Sequence, residues 1–132
     1  VSSMAQFLYL ATPYSRYAAG LDAAFIAACE ITASLISRGY SVYSPIAHTH
    51  PVALHGNIDP LEHSIWLPFN ASMMKASHGL IVAELPGWES SVGVWHESNY
   101  FSAAGKLIDY LSWPEGEFKL GVFEKPSRES KL

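Results

Sequence analysis

The sequence is short of charge and of cysteine, and it lacks a long apolar run. Only 15% of its 132 residues are charged and the formal net charge is −4, whereas a protein that binds nucleic acid through its phosphates usually carries a basic face. The single cysteine, Cys29, cannot form an internal disulfide, so nothing indicates secretion. We find no signal peptide, and no apolar stretch approaches the roughly 18 residues of a membrane span. The sequence therefore favours a cytoplasmic enzyme or binding protein with no nucleic-acid or membrane partner.

Apolar residues, by contrast, are plentiful. They make up 49% of the chain, which is typical of a globular domain and not of a disordered segment. A chain of this length builds about one domain with a single core. Because few charged residues remain for the surface, we also expect part of that surface to be covered in a homo-oligomer, either a dimer or a tetramer.

Apolar runs and turn-forming residues alternate in the order of an α/β protein. Strands are predicted at 6–11, 40–43, 79–84 and 106–111, and helices at 22–37, 61–76 and 95–104, the second of them broken or restarted at Pro68. The stretch 47–60, rich in turn-formers and histidines, is predicted to be a long loop. This order predicts one domain over 4–112, with a parallel sheet between helices on both faces. A polar tail follows over 113–132, in which 118–123 is a candidate short strand.

The most informative stretch runs from the third predicted strand into the last predicted helix. A Pro-Gly turn at 86–87 is followed by Ser90, Ser91, Gly93 and then Glu97. Ligands of parallel α/β sheets bind outside the carboxyl ends of the strands, where a carboxylate can be an acid, a base or a nucleophile. The two serines, the glycine and the nearby backbone N–H groups form a candidate anion pocket. The alternative is a first-turn acid beside ordinary serine caps.

Hydroxyl groups and a guanidinium gather where the first predicted strand ends. They belong to Tyr9, Thr12, Tyr14, Ser15 and Arg16. Such groups bind sugar hydroxyls or a phosphate, so we take all five as candidate substrate-binding residues. A tyrosine inside a strand is more often a core residue, whereas the loop residues fit a functional and a structural role equally well.

The histidines of the predicted loop invite a metal hypothesis. His48 and His50 form a short His-x-His pair, with His55 and His63 nearby, and imidazole is a common zinc ligand. No cysteine or carboxylate accompanies them at helical ligand spacing, so we predict no metal site. His48 is kept as a candidate substrate contact.

Three tryptophans are candidates for stacking on a planar ligand. They are Trp66, Trp88 and Trp95. Each is more often a packing residue than a ligand contact. Trp88 is the preferred candidate because it lies in the Pro-Gly-Trp turn, whereas His96 is predicted to face away from the site.

Two segments resemble the nucleoside 2-deoxyribosyltransferase superfamily. The run Tyr-Leu-Ala-Thr-Pro-Tyr-Ser at 9–15 is similar to the opening strand and loop of that superfamily, and 80–106 is similar to its active-site half. The pattern Pro-Gly-Trp followed by Ser-x-Gly-x-x-x-Glu, with Ser-Pro-Ile-x-His at 44–48, most resembles the branch called domain of unknown function 1937 (DUF1937). The resemblance covers residues 6 to 111 and implies a flavodoxin-like α/β/α fold.

The resemblance also implies a reaction. In such enzymes a glutamate attacks the anomeric carbon of a deoxynucleoside and forms a covalent glycosyl-enzyme, by the logic of the retaining glycosidases. Glu97 matches that nucleophile. Ser91 falls where the transferases carry a sugar-binding aspartate and where related deoxynucleoside 5′-monophosphate N-glycosidases carry a phosphate-binding serine. The implied ligand is therefore a nucleoside or nucleotide, with no cofactor required and often with a neighbouring subunit completing the pocket.

The sequence departs from the family where the leaving base is activated. An aspartate on the helix before the third strand usually gives a proton near the base, but Asn70 occupies that position, and an amide is not an acid. Ser77 and His78 replace a second aspartate. The nucleophile and the anion pocket remain, so we keep Asn70 as a catalytic-site residue and take His48, His78 and Asp59 as candidate replacement acids.

Three functions remain open from the sequence. The first is an N-glycosidase or deoxyribosyltransferase that uses Glu97. The second is a nucleotide- or nucleotide-sugar-binding module that has lost turnover, which the missing acid favours. The third is a metal-dependent hydrolase built on the histidines, which requires ligands that the spacing does not offer.

Overall fold

A computed structural model describes residues 6–125, in which strands and helices alternate. Residues 1–5 and 126–132, which include the predicted start of the domain at Met4 and the end of the tail, lie outside the described residues. The elements, in chain order, are β1 (Leu8–Ala11), α1 (Leu21–Ser37), β2 (Val42–Tyr43), α2 (Pro45–Gly56), α3 (His63–Ala76), β3 (Gly79–Glu84), a 3₁₀ turn (Trp88–Ser90), α4 (Val92–Ala103) and β4 (Leu107–Ser112).

The four strands form one parallel sheet in the order β2-β1-β3-β4. β1 lies at the centre, with Tyr9 beside Tyr43 on one side and beside Leu80 on the other. All four residues of β1 are buried, as expected for a strand covered on both faces. Because the chain reverses its direction of strand addition between β1 and β3, the carboxyl ends of these two strands border the crevice where open α/β sheets bind ligands.

Two apolar cores lie on opposite faces of this sheet. Leu8 and Leu10 point to the core that contains Ile31 and Leu35 of α1. Their neighbours Tyr9 and Ala11 point to the second core, as the two-residue period of a strand requires. That core is completed by residues of α3 and α4: Met74, Val94 and Phe101. The predicted single-domain α/β fold, flavodoxin-like and in three layers, is confirmed.

The predicted long loop at 47–60 is wrong, because most of it is helix α2. Ser44 caps this helix by accepting a hydrogen bond from the Ala47 N–H at 3.1 Å, and Pro45 occupies its first turn. Asn57 ends it in a left-handed conformation at φ 58°. Pro51 is tolerated inside the helix since α2 packs along α1; tertiary packing here outweighs low helix propensity.

Two other helices also differ from their predicted bounds. α3 runs through Pro68 without a break. α4 begins at Val92 and not at Trp95, because the Ser91 hydroxyl caps it by accepting a hydrogen bond from the Val94 N–H at 3.3 Å. Glu97 therefore lies in the second turn of α4 and not in its first. Within residues 6–125, no helix is both long and apolar enough to cross a membrane.

The described part of the tail is attached to the sheet by one buried carboxylate. Asp109, in β4, is fully buried, and its oxygens accept hydrogen bonds from the backbone N–H groups of Leu120, Gly121 and Val122 at 2.8, 2.8 and 3.3 Å. The candidate strand at 118–123 contributes a single antiparallel bridge, between Phe118 and Leu111. The tail thus covers part of the α1 side of the sheet.

Candidate functional site

A cavity of about 470 Å³ opens at the carboxyl ends of β1 and β3. Its walls come from the loop after β1, the first turns of α2, one face of α3 and the amino end of α4. The polar or aromatic side chains among its lining residues are Thr12, Tyr14, Ser15, Arg16, Thr49, His63, Trp66, Asn70, Ser91, His96 and Glu97. Residues that lie far apart in the sequence therefore meet at the sheet's ligand-binding edge.

Glu97 lines this cavity with an unusual ionisation. The pKa of its carboxyl is raised from 4.5 to about 8. Burial is the larger cause and raises the pKa, whereas the neighbouring Tyr9 hydroxyl acts in the opposite direction. The same burial, together with the negative charge of Glu97, raises the pKa of Tyr9 far above its usual value and that of Tyr43 to about 12. Glu97 is thus a carboxyl that lies beside two tyrosines and whose burial favours the protonated form.

Several buried polar atoms around Glu97 have no hydrogen bond of normal geometry within residues 6–125. They are the hydroxyl oxygens of Tyr9, Thr12 and Tyr43 and the amide oxygen of Asn70. An unpaired buried polar atom costs about 1–3 kcal/mol, and native proteins leave few of them. Thr12 and Asn70 line the same cavity as Glu97, and Tyr9 and Tyr43 lie close enough to its carboxyl for the Glu97 charge to raise their pKa values.

The amino end of α4 gives the cavity an electropositive side. Ser91 and Gly93 line the cavity there, where the free backbone N–H groups and the helix dipole favour an anion. Arg16 lines the same cavity from the loop after β1 and is exposed. The Ser91 hydroxyl caps the helix by accepting from the Val94 N–H, and Ser91 also lines the cavity. The two interpretations of Ser91 from the sequence, helix cap and pocket residue, are therefore compatible. The arrangement can bind a phosphate or another anionic group.

Most of the site residues predicted from the sequence come together. Those that line the cavity are Thr12, Tyr14, Ser15, Arg16, Asn70, Ser91, Gly93 and Glu97. Tyr9 lies directly behind Glu97 in the core. Three others lie outside the lining: Trp88 packs on Tyr110 with ring centroids 5.7 Å apart, the Ser90 hydroxyl donates to the Gly87 carbonyl, and His48 stacks on Phe69 at 5.4 Å.

Other residues of the cavity were ranked low or missed as ligand contacts. Trp66, and not the preferred Trp88, lines it, with the indole N–H donating to the Asp59 carbonyl at 2.9 Å. Thr49 and His96 line it as well, so the prediction that His96 faces away is wrong. For Thr49 the sequence signal was the Ser-Pro pair at 44–45, which starts a helix whose first turns face the strand ends.

The histidines do not gather around a common point. His50 bonds to Tyr14 and Asp22, and His48 stacks on an aromatic ring. His78 lies at the opposite end of β1, where its Nδ1–H donates to the Phe7 carbonyl at 3.0 Å. In the part of the chain that the structure describes, no three His, Cys, Asp or Glu side chains are placed to hold a metal ion.

Comparison with known proteins gives a family but no activity. No curated protein matches the chain significantly. A family model described as a domain of unknown function, DUF1937, matches residues 6–112, from just before β1 to the end of β4. That match spans the whole sheet, every helix and all the residues of the cavity, and the chain belongs to the DUF1937 family.

Proposed function

We propose that this chain is a cytoplasmic enzyme that breaks the N-glycosidic bond of a nucleoside or nucleotide, with Glu97 as the nucleophile. One observation carries the proposal: Glu97 lines a cavity together with Thr12 and Asn70, whose buried side-chain oxygens have no hydrogen-bond partner within residues 6–125. Sugar hydroxyls and a base edge are ligands that would pair such oxygens. The resemblance of the 9–15 and 80–106 segments to the nucleoside 2-deoxyribosyltransferase superfamily supports the same chemistry.

The reaction would proceed in two steps. The ionised carboxylate of Glu97 attacks the anomeric carbon as the carbon–nitrogen bond to the base breaks, through an oxocarbenium-like transition state. Water or a second base then takes the sugar from the carboxylate. A carboxylate in a site of low dielectric stabilises the developing positive charge strongly. No cofactor or metal is needed for either step.

The electropositive end of the cavity favours a phosphorylated substrate. Ser91, Gly93 and Arg16 line the same cavity, and a phosphate bound there would accept hydrogen bonds from the N–H groups of α4 and from the guanidinium. The sugar would then lie between the phosphate and Glu97. A nucleoside 5′-monophosphate has its anionic group and its anomeric carbon on opposite ends of one small sugar, as this arrangement requires.

The test is base release from nucleosides, deoxynucleosides and their 5′-monophosphates. We expect release from at least one of them, its loss in Glu97→Gln, and its retention in Glu89→Gln, which changes an exposed carboxylate outside the cavity. Mass spectrometry of quenched reactions should show a sugar adduct on the peptide that contains Glu97. Full activity of Glu97→Gln would contradict the proposal.

A second function, binding without turnover, is favoured by one observation. Asn70 stands on the cavity wall where the resemblance implies an acidic group, and an amide can orient a base but cannot protonate it. Saturable binding of a nucleotide, with no base release from any substrate of the panel, would establish this alternative.

We also propose that a second copy of the chain covers α3 in a homo-oligomer. Among the 14 residues of α3 only Met74 is buried, whereas Ile65 is 46% and Phe69 38% exposed. An apolar face of this kind usually marks an interface. Sedimentation should show a dimer or tetramer that Ile65→Glu dissociates, while Ile36→Glu, at an equally exposed position of α1, leaves it intact. A monomeric parent protein would overturn this proposal.

A further inference from the structure

Three side chains form a hydrogen-bonded chain that leads from solvent to the cavity. Asp22 Oδ1 lies 3.0 Å from His50 Nε2, and His50 Nδ1 lies 2.7 Å from Tyr14 Oη. The Asp22 side chain is 87% exposed, whereas that of His50 is 8% exposed. Tyr14 lines the cavity that contains Glu97. His50 thus separates an outer, solvent-facing carboxylate from a hydroxyl inside the site.

The chain is held together by three different elements. Asp22 lies in the first turn of α1, His50 in α2, and Tyr14 in the loop after β1. The imidazole stacks on Phe25 with centroids 4.6 Å apart and planes at 22°, and it meets the Tyr14 ring edge to face at 5.7 Å. These contacts fix the ring plane, so that each nitrogen faces a single partner.

The partners determine what each nitrogen can do. A carboxylate only accepts, so Nε2 carries a proton and donates it to Asp22. Nδ1 is then the atom that exchanges a proton with Tyr14. When Nδ1 is unprotonated it accepts from the Tyr14 hydroxyl, and when it is protonated it donates to Tyr14 Oη and frees the Tyr14 O–H to point into the cavity.

We propose that Tyr14 is the proton donor to the leaving base and that His50 and Asp22 position and recharge it. This inference rests on the proposed N-glycosidic function, and it assigns the acid that Asn70 cannot supply. The Tyr14 hydroxyl gives its proton to a nitrogen of the departing base, while the proton on His50 Nδ1 passes to Tyr14 Oη. Tyr14 is the catalytic residue of the three, and the other two act through it.

The proton balance closes over the two half-reactions. In the first, the bond between the anomeric carbon and the base nitrogen breaks, the bond to the Glu97 oxygen forms, and the base leaves with the proton. In the second, water attacks the anomeric carbon, the bond to Glu97 breaks, and the proton released by water returns through Tyr14 Oη to Nδ1. The carboxylate of Glu97 and the protonated His50 are both restored, as microscopic reversibility requires.

The other candidate acids are placed less well. His48 and His78 lie outside the cavity lining, and Asp59 accepts a hydrogen bond from the Leu61 N–H at 2.9 Å on the outer side of α2. Burial and the charge of Asp22 also raise the pKa of Tyr14, so its proton is present at neutral pH. Other titratable or charged groups share the two spaces that border the chain: Arg16, His63, His96 and Glu97 line the cavity with Tyr14, and Asp59 lines the outer groove with Asp22 and His50.

Leaving groups of different basicity test the proposal. A natural base must be protonated to leave, whereas the nitrophenolate of a para-nitrophenyl glycoside of the same sugar leaves without a proton. Tyr14→Phe should lower turnover of the natural substrate by about 100-fold or more and leave the nitrophenyl substrate nearly unaffected. His50→Gln and Asp22→Asn should show the same selectivity with smaller losses. Tyr17→Phe, a change on the same loop, is the matched control.

The outcomes separate this inference from the proposed function. If Glu97→Gln loses activity on both substrates and Tyr14→Phe loses activity on the natural substrate alone, the proposed function and this inference are both supported. If Tyr14→Phe lowers turnover of the two substrates equally, or lowers neither, proton donation by Tyr14 is overturned and the proposed role of Glu97 is unaffected. A parent protein that releases neither leaving group refutes the proposed function and the relay with it.

A measurement without turnover tests the hydrogen-bond chain itself. Nitrogen NMR of isotope-labelled histidine should show His50 protonated at Nε2, with the signal assigned by its absence in His50→Gln. Asp22→Asn changes an exposed residue, so the fold should survive, and it should change the share of the His50 proton that each ring nitrogen carries, because the carboxylate that accepts from Nε2 is gone. If the His50 nitrogen signal is the same in Asp22→Asn as in the parent protein, the hydrogen-bonded chain from Asp22 to Tyr14 is contradicted.

Discussion

The ionisation of Glu97 gives a prediction that needs no substrate. Burial moves the pKa of this carboxyl from 4.5 to about 8 in the folded chain. Below about pH 4.5 the carboxyl is protonated in the folded and the unfolded chain alike, so it has no effect through this route. As the pH rises towards 8 the unfolded chain loses this proton and the folded chain keeps it, so the free energy of unfolding falls.

The magnitude follows from the two pKa values. A difference of one unit corresponds to about 1.4 kcal/mol, so the rise from 4.5 to about 8 means that ionised Glu97 destabilises the fold by about 5 kcal/mol well above pH 8 relative to acidic solution. Water in the cavity screens the charge, which makes this an upper value. Glu97→Gln keeps the shape of the side chain without the charge. The variant should therefore be more stable than the parent at high pH and similar to it at low pH.

Urea unfolding followed by tryptophan fluorescence, between about pH 5 and pH 9, measures this difference directly. Glu89→Gln is the control, because Glu89 is an exposed carboxylate on the turn before α4. The quantity to compare is the gain of each variant over the parent as a function of pH. If the gain of Glu97→Gln is the same at every pH, the carboxyl is not held neutral and the reasoning from burial is refuted.

Three further substitutions test neighbouring parts of the structure. Tyr9→Phe removes the hydroxyl that lowers the pKa of Glu97, so the rise of kcat/KM with pH should move to higher pH; an unmoved profile would show that the hydroxyl does not contact the carboxyl. Trp66→Leu should weaken nucleotide binding by about tenfold in calorimetry if the base stacks on this cavity residue, whereas Trp95→Leu, 61% exposed and outside the lining, should not. Asp109→Asn loses the anionic acceptor of the tail's N–H groups and should lower the free energy of unfolding by on the order of 3 kcal/mol; urea curves that match the parent would contradict this role.

The sheet was predictable because its signal is local. The apolar run at 79–84 coincides with β3, since a strand buried on both faces needs apolar residues at successive positions. α2 was not predictable in the same way, because Pro51 and three histidines lower its propensity and its stability comes from packing on α1. Ser44, a residue type that caps helices, and Pro45, a residue type common in the first helical turn, are the local signal for a helix that begins here.

The candidate site was predictable in part for a similar reason. The residues after β1 and before α4 line the cavity because the carboxyl ends of parallel strands share one edge. The choice between Trp88 and Trp66 depended on which side of α3 lies against the cavity. The spacing of residues in the sequence does not reveal that. His50 lies 28 positions from Asp22 and 36 positions from Tyr14 in the sequence, so only the folded chain shows that these side chains touch.

The neutral group at position 70 fits the unusual ionisation of Glu97. Asn70 lines the same cavity as Glu97, and a second carboxylate there would raise the pKa of this proposed nucleophile further, because two like charges in a buried site oppose each other. With about a tenth of the carboxyl ionised at pH 7 when the pKa is about 8, any further rise would leave very little nucleophile. A positive charge that develops at the anomeric carbon would have the opposite effect, because it would stabilise the ionised form of Glu97 that burial disfavours. An amide at 70, with proton donation assigned to Tyr14, keeps the nucleophile ionisable and the acid protonated over the same range of pH.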